Sequence, residues 1–138
     1  MKLSPDLRQL LAQAATLVEK VDLLNLHANS LYLQEDLEVA RYLAEQARLM
    51  SGCAGENHQP YYRGLAVSLV TLGDIGLYIS PYAETLGLYL EALAILEQND
   101  DHITMIRALM GVSWVYFSGG DYPAAQSYID RAISAWCH

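Results

Sequence analysis

Positive charge is scarce in this sequence. Eight lysine and arginine residues stand against sixteen aspartate and glutamate residues, which gives a formal net charge of −8 at pH 7. A chain with this balance repels the phosphates of nucleic acids and the anionic head groups of lipids. We therefore expect neither a nucleic acid nor a membrane surface among its partners.

Cysteines and clusters of metal-ligating residues are also scarce. The two cysteines, Cys53 and Cys137, are far apart and show no disulfide spacing. The four histidines are dispersed along the chain: His27, His58, His102 and His138. Cys53 and His58 share a loop, but two ligands are too few for a structural zinc site. No nucleotide-binding loop, nucleophile elbow or metal motif occurs, so we expect no metal, no cofactor and no enzymatic activity.

Long apolar runs are missing as well. Residues 1–6 lack the apolar core of a secretion signal. The most apolar run, residues 64–80, is interrupted by Asp74 and is too short to make a good membrane span. These features favour a cytoplasmic protein.

Helical periodicity, by contrast, runs through the whole chain, in which 53% of the residues are hydrophobic and only four are proline. Residues 109–132 show the pattern best, as two amphipathic stretches joined by Gly119-Gly120-Asp121. Glycine can end the first helix there, and Asp121 can cap the second. The sequence predicts seven helices, or six if the first two are continuous, because neither glycine nor proline separates them near Lys20.

Three helical hairpins can be superposed on their turns. Small or apolar residues then occupy corresponding positions: Leu24, Leu69 and Leu109; Ala28, Gly73 and Ser113; Ala40, Thr85 and Ala125; Ala47, Ala92 and Ala132. The step from Ala47 to Ala92 is 45 residues, and the step from Ala92 to Ala132 is 40 residues. Such self-similarity indicates a repeat architecture.

These positions resemble the packing positions of the tetratricopeptide repeat family over nearly all of residues 21–136. Leu72-Gly73 matches the leucine-glycine pair of that family, and Gly120-Asp121-Tyr122 matches its inter-helix turn. The tryptophan of the family pattern is leucine in every repeat here, and the spacing exceeds the usual ~34 residues. Longer spacing is similar to a variant in bacterial multidomain regulators, including transcription regulators of the maltose-activator type and some diguanylate cyclases.

The resemblance implies an all-α fold, a right-handed superhelix of three helical hairpins plus an N-terminal helix. The single domain would span residues 1–138, with the N-terminal helix at 1–20 and repeats at about 21–54, 66–99 and 106–138. Its implied function is protein–protein interaction, as a regulatory domain of a bacterial signalling or transcription-regulating protein.

The first helix of each hairpin would line the concave face of such a superhelix. The residues expected in this partner-binding groove are Asn25, Asn29, Tyr32, Val70, Asp74, Tyr78, Arg107, Met110 and Trp114. The alternative interpretation of each of these residues is that its side chain packs between helices. Asn25 stands where a clamp for an acidic C-terminal tail would need lysine, so we expect a different peptide or protein partner. A small-molecule pocket near Tyr78 and Trp114 is a second hypothesis.

The last predicted helix carries an apolar stripe close to the end of the sequence. Its residues are Ile129, Ile133 and Trp136, and some of them should face outward because no polar capping helix follows. Either the native protein continues beyond His138, or two copies pair through this face. We expect the first of these, with self-association of the isolated chain as a consequence.

Overall fold

Seven α-helices account for most of the computed structural model, which describes residues 3–137. The helices are α1 (Pro5–Gln13), α2 (Leu17–Leu33), α3 (Leu37–Ser51), α4 (Tyr62–Ile79), α5 (Tyr82–Leu96), α6 (His102–Ser118) and α7 (Tyr122–Trp136). A short 3-10 helix, Glu56–His58, lies in the loop between α3 and α4. No strand occurs within these described residues, so the prediction of an all-α fold is confirmed. The predictions for residues 1, 2 and 138 lie outside the described residues. They include the expectation that His138 is not a metal ligand.

α1 and α2 are separate helices, which answers a question that the sequence left open. The hydroxyl of Thr16 accepts a hydrogen bond from the Glu19 amide at 3.2 Å, and the Glu19 carboxylate accepts one from the Ala15 amide at 2.9 Å. This reciprocal pattern closely follows a capping box, in which a threonine and a glutamate three residues later satisfy free amides at a helix start. It begins α2 without any glycine or proline.

Asp121 caps a helix as predicted, and side chains cap two other starts in the same way. Ser4 accepts from the Leu7 amide at 3.1 Å, Asp101 from the Thr104 amide at 3.2 Å, and Asp121 from the Ala124 amide at 3.2 Å. Asp36 occupies the corresponding position before α3, but its side chain makes no capping hydrogen bond. Gly120 has a φ of +86°, the left-handed conformation that favours glycine in the turn before Asp121.

The helices pair as three antiparallel neighbours along the chain: α2 with α3, α4 with α5, and α6 with α7. The first helices of these hairpins, α2, α4 and α6, also contact one another in order. Each of α4 and α6 further contacts the second helix of the preceding hairpin. The second helices stay farther apart: within residues 3–137, no Cα atom of α3, α5 or α7 lies within 8 Å of a Cα atom of another of the three. An ion pair of 3.9 Å between Arg48 and Glu91 links α3 to α5.

Small residues fill the places where helices approach most closely. Ala40, Ala47 and Ala92 are fully buried, and Ala132 is 5% exposed. All the residues that superpose between hairpins are buried, which agrees with the predicted register. A side chain without a long branch lets two helix backbones come together. The largest fully buried side chain is Tyr89 on α5, which the sequence also places on the apolar stripe of that helix.

Candidate functional site

Tyr89 passes from α5 between two first helices, and two glycines make room for it. A β-carbon added at Gly111 on α6 would lie 2.3 Å from Cζ of Tyr89. One added at Gly73 on α4 would lie 2.8 Å from Cε1 of the same ring. Real β-carbons do not approach other atoms so closely, so glycine is required at both positions while the ring stays in place.

The hydroxyl of Tyr89 reaches a charged pair on the first helices. It donates a hydrogen bond to Oδ1 of Asp74 on α4. The other carboxylate oxygen, Oδ2, accepts from Nη2 of Arg107 on α6 at 3.0 Å. The same Nη2 lies 3.4 Å from Oδ1 of Asn29 on α2. Side chains from four helices are therefore joined in one network around the partly buried Asp74 carboxylate.

The surroundings of this carboxylate determine its charge and that of its neighbours. Burial raises the pKa of Asp74, and the hydrogen bond from Tyr89 and the charge of Arg107 oppose that rise in part. The pKa of Tyr89 is strongly raised, first by burial and then by the negative charge of Asp74. The Tyr89 hydroxyl therefore stays protonated, and it acts as a fixed hydrogen-bond donor.

Two further tyrosines extend the cluster across α2 and α4. The rings of Tyr32 and Tyr78 are tilted by 58°, with centroids 6.2 Å apart. Burial, followed by the charge of Asp74, raises the pKa of Tyr32 to about 12. Tyr78 is 70% exposed, so most of its ring is open to a ligand. We call the set Asn29, Tyr32, Asp74, Tyr78 and Arg107 the first-helix surface.

Two residues expected in the groove lie elsewhere, and both assignments are corrected. Asn25 is buried, and its Nδ2 donates to the carbonyl oxygen of Gly64 at 3.0 Å. Val70 is fully buried in the core cluster that includes Tyr89. Neither side chain can contact a ligand, because each packs between helices. One helical residue corresponds to a rotation of about 100°, so a small error in register turns a groove position inward.

Met110 and Trp114, the remaining groove predictions, are exposed and line an apolar surface between α6 and α7. A cavity of about 440 Å³ there is lined by Met110, Ser113, Trp114, Phe117, Tyr122, Ala125, Gln126 and Ile129. A second cavity of about 440 Å³ continues along the same helices and is lined by Ile106, Met110, Ile129, Ala132, Ile133 and Trp136. We call the surface formed by these two cavities the α6–α7 face.

The residues predicted for self-association all belong to the α6–α7 face. Ile133 is 56% exposed, Trp136 is 76% exposed, and Ile129 is partly buried. Aromatic side chains extend the face at its other end, where Phe117 lies 5.9 Å from Trp114 and 5.3 Å from Tyr122 between ring centroids. The expected outward orientation is therefore present, while self-association itself stays a prediction.

The hypothesis of a small-molecule pocket gains no support from these cavities. Tyr78 does not line the cavity beside Trp114, which is open along one side of α6 and α7. Sequence reasoning missed a third cavity, of about 350 Å³, between α3, α4 and α5. Its charged lining residues are Arg41, Glu45, Arg48, Glu84 and Glu91. The two arginines and three glutamates leave little net charge there for attracting an ion.

Two other features bear on the class of site. In the part of the chain that the structure describes, no three histidine, cysteine, aspartate or glutamate side chains are grouped as metal ligands. No helix in that part combines the length and the apolar character that a bilayer span requires. The first-helix surface and the α6–α7 face are the two candidate sites.

A scan against models of known protein families finds no match, and a search of the curated proteins finds no relative.

Proposed function

We propose that the chain is a protein-interaction module that holds an extended peptide segment against the first-helix surface. One observation carries this proposal: the exposed ring of Tyr78 lies on the same helix face as Asp74, which pairs with Arg107. The hydrogen bond from the Tyr89 hydroxyl holds the Asp74 carboxylate in position. Rigid side chains that are already in place lose little conformational entropy when a ligand binds. Tyrosine also offers both an apolar ring and a hydroxyl, a combination that is common at protein interfaces.

The contacts between helices support a tetratricopeptide-like superhelix as the architecture of this module. The backbones of the first helices come within 8 Å of one another, whereas those of the second helices do not within the described residues. We infer that such an array curves toward its first helices, with the first-helix surface on the inner side of the curve. The repeat spacing supports the narrower proposal that the module regulates a bacterial signalling or transcription protein. Its two exposed, unpaired cysteines support a cytoplasmic location.

The charges on the first-helix surface indicate which segment would bind. Arg107 already pairs with Asp74 at 3.0 Å, so little of its charge is left to attract an acidic tail. The hydroxyls of Tyr32 and Tyr78 and the Asn29 amide can exchange hydrogen bonds with the main chain of an extended peptide. Since the whole chain carries a net charge of −8, an uncharged or basic segment is favoured over an acidic one.

Peptide selection followed by affinity measurement tests this proposal. Peptides are selected from a random library against the immobilised full chain, and their dissociation constants are measured by fluorescence anisotropy. The Tyr78→Ala variant should weaken binding about tenfold, because truncation of an aromatic anchor costs more than about 1 kcal/mol. It should fold normally, since Tyr78 is 70% exposed.

The matched control is Leu49→Ala on α3, since Leu49 is 72% exposed and does not belong to the first-helix surface. This variant should bind the selected peptides as the parent does. Failure to select any peptide above background, or equal affinities for the parent and Tyr78→Ala, would reject the proposal.

A further inference from the structure

The α6–α7 face is an exposed apolar surface that is rich in aromatic side chains. Among its side chains, Trp114, Phe117, Tyr122 and Trp136 are each more than half exposed, as are Met110 and Ile133. None of the residues that line its two cavities is charged. Scattered apolar residues are normal on a protein surface, but a continuous patch of this kind marks an interaction site.

The packing of the earlier hairpins indicates what shape the face accepts. α4 contacts both α2 and α3, and α6 contacts both α4 and α5, so each earlier hairpin receives one helix against its two members. Within residues 3–137, no helix lies in this way against both α6 and α7. The occupant that fits is therefore an apolar helix lying along the hairpin.

The same hairpin supplies such a helix. Ile129, Ile133 and Trp136 lie three or four residues apart on α7 and form an apolar ridge. The same residues form one wall of the two cavities, and α6 forms the other, so the ridge borders a groove. A surface that carries both ridge and groove can pair with a copy of itself about a two-fold axis.

The size of the face is comparable to the area that one partner buries in a standard dimer interface. A fully exposed aromatic side chain presents about 150–250 Å². With the exposed fractions of its four large aromatic residues, the face offers about 500 Å² from these side chains alone. Met110 and Ile133 add to this area, which approaches the ~800 Å² per partner of a standard interface.

Charge also favours pairing here over pairing elsewhere on the surface. Each copy carries a net charge of −8, so two copies repel each other through most orientations. An uncharged lining adds no further repulsion at the point of contact. We propose that two copies of this chain pair through their α6–α7 faces, so that α6 and α7 of each form a four-helix bundle.

Sedimentation velocity and intrinsic fluorescence, measured on the same dilution series of the full chain, test this pairing. The chain has two tryptophans, and both lie on the α6–α7 face. Their emission should therefore shift to the blue as the dimer fraction rises. Added salt should strengthen pairing, because it screens the repulsion between two acidic copies.

Variants identify the surface that is responsible. Ile133→Asp should raise the dissociation constant of the dimer at least about tenfold, because it would bury an unpaired charge at the interface. Ile133 is 56% exposed, so this variant should keep the helical circular dichroism of the parent. Leu49→Asp introduces the same charge at a site that is 72% exposed on α3, and it should leave the dissociation constant unchanged.

Three results would overturn the proposal. The first is a chain that stays monomeric at the highest concentration, with tryptophan emission that does not change across the dilution series. The α6–α7 face would then not bind a second copy. The second is a dimer that Ile133→Asp does not weaken, which would place the interface elsewhere. The third is a dimer that salt dissociates, since ion pairs and not the apolar face would then hold it together.

Discussion

Gly111→Ala should destabilise the protein, although alanine is the better helix former. Replacing an interior helical glycine by alanine ordinarily stabilises a helix by about 1 kcal/mol. Here the new β-carbon would lie 2.3 Å from Cζ of Tyr89. The ring has little room to move, because α4 lies close to it at Gly73 and Asp74 accepts a hydrogen bond from its hydroxyl. Overpacking of this kind costs about 1–3 kcal/mol, and more where the neighbours are fixed.

The expected net loss for Gly111→Ala is up to about 2 kcal/mol, after the gain of about 1 kcal/mol in helix propensity is subtracted. Urea unfolding followed by circular dichroism measures it as a lower midpoint at an unchanged slope. The matched control is Gly87→Ala, since a β-carbon at Gly87 on α5 would have no atom within 4 Å. This control should raise stability by about 0.5–1 kcal/mol. If both variants are more stable than the parent, Tyr89 is not held between α4 and α6.

Three other predictions concern buried or partly buried side chains, among them Tyr61, which precedes α4 and donates a hydrogen bond to Asp22 on α2 at 2.8 Å. Tyr89→Phe keeps the ring but removes a donor to Asp74, and it should cost about 1–3 kcal/mol in urea unfolding; unchanged stability would show that the hydrogen bond contributes nothing. Tyr32 and Tyr61 have pKa values raised by burial to about 12 from an ordinary 10.0. Their contribution to stability should be complete below pH 10 and lost as pH rises through 12. Absorbance titration of tyrosinate checks this, and ionisation of every tyrosine near pH 10 would contradict it. Ala92→Leu should cost about 1–3 kcal/mol by overpacking, and an unchanged melting temperature would argue against the repeat register.

The helices and their order could be predicted from the sequence because local patterns determine them. Caps such as Ser4, Asp101 and Asp121 act within three residues of their own position, so sequence reasoning finds them. The break between α1 and α2 has an equally local signal. Thr16 and Glu19 have capping-box spacing, and this spacing, not a glycine or proline, marks the start of α2.

The centre of the first-helix surface could be predicted only in part. Asp74, Arg107 and Asn29 lie on three helices, and their general position follows from helical periodicity. The hydrogen bond from Tyr89 does not follow, because it depends on a ring that passes between α4 and α6. The burial of Val70 was missed because an apolar residue near the border of a helix face could pack inward or line a groove.

The most direct test of the central claim is to locate a bound peptide on the isotope-labelled protein by nuclear magnetic resonance. A peptide selected for binding is titrated into the full chain, and backbone and side-chain shifts are followed for each residue. The account predicts that the largest changes occur at the first-helix surface, at Tyr32, Tyr78 and Arg107. Changes confined to the α6–α7 face, or to the second helices α3 and α5, would contradict it.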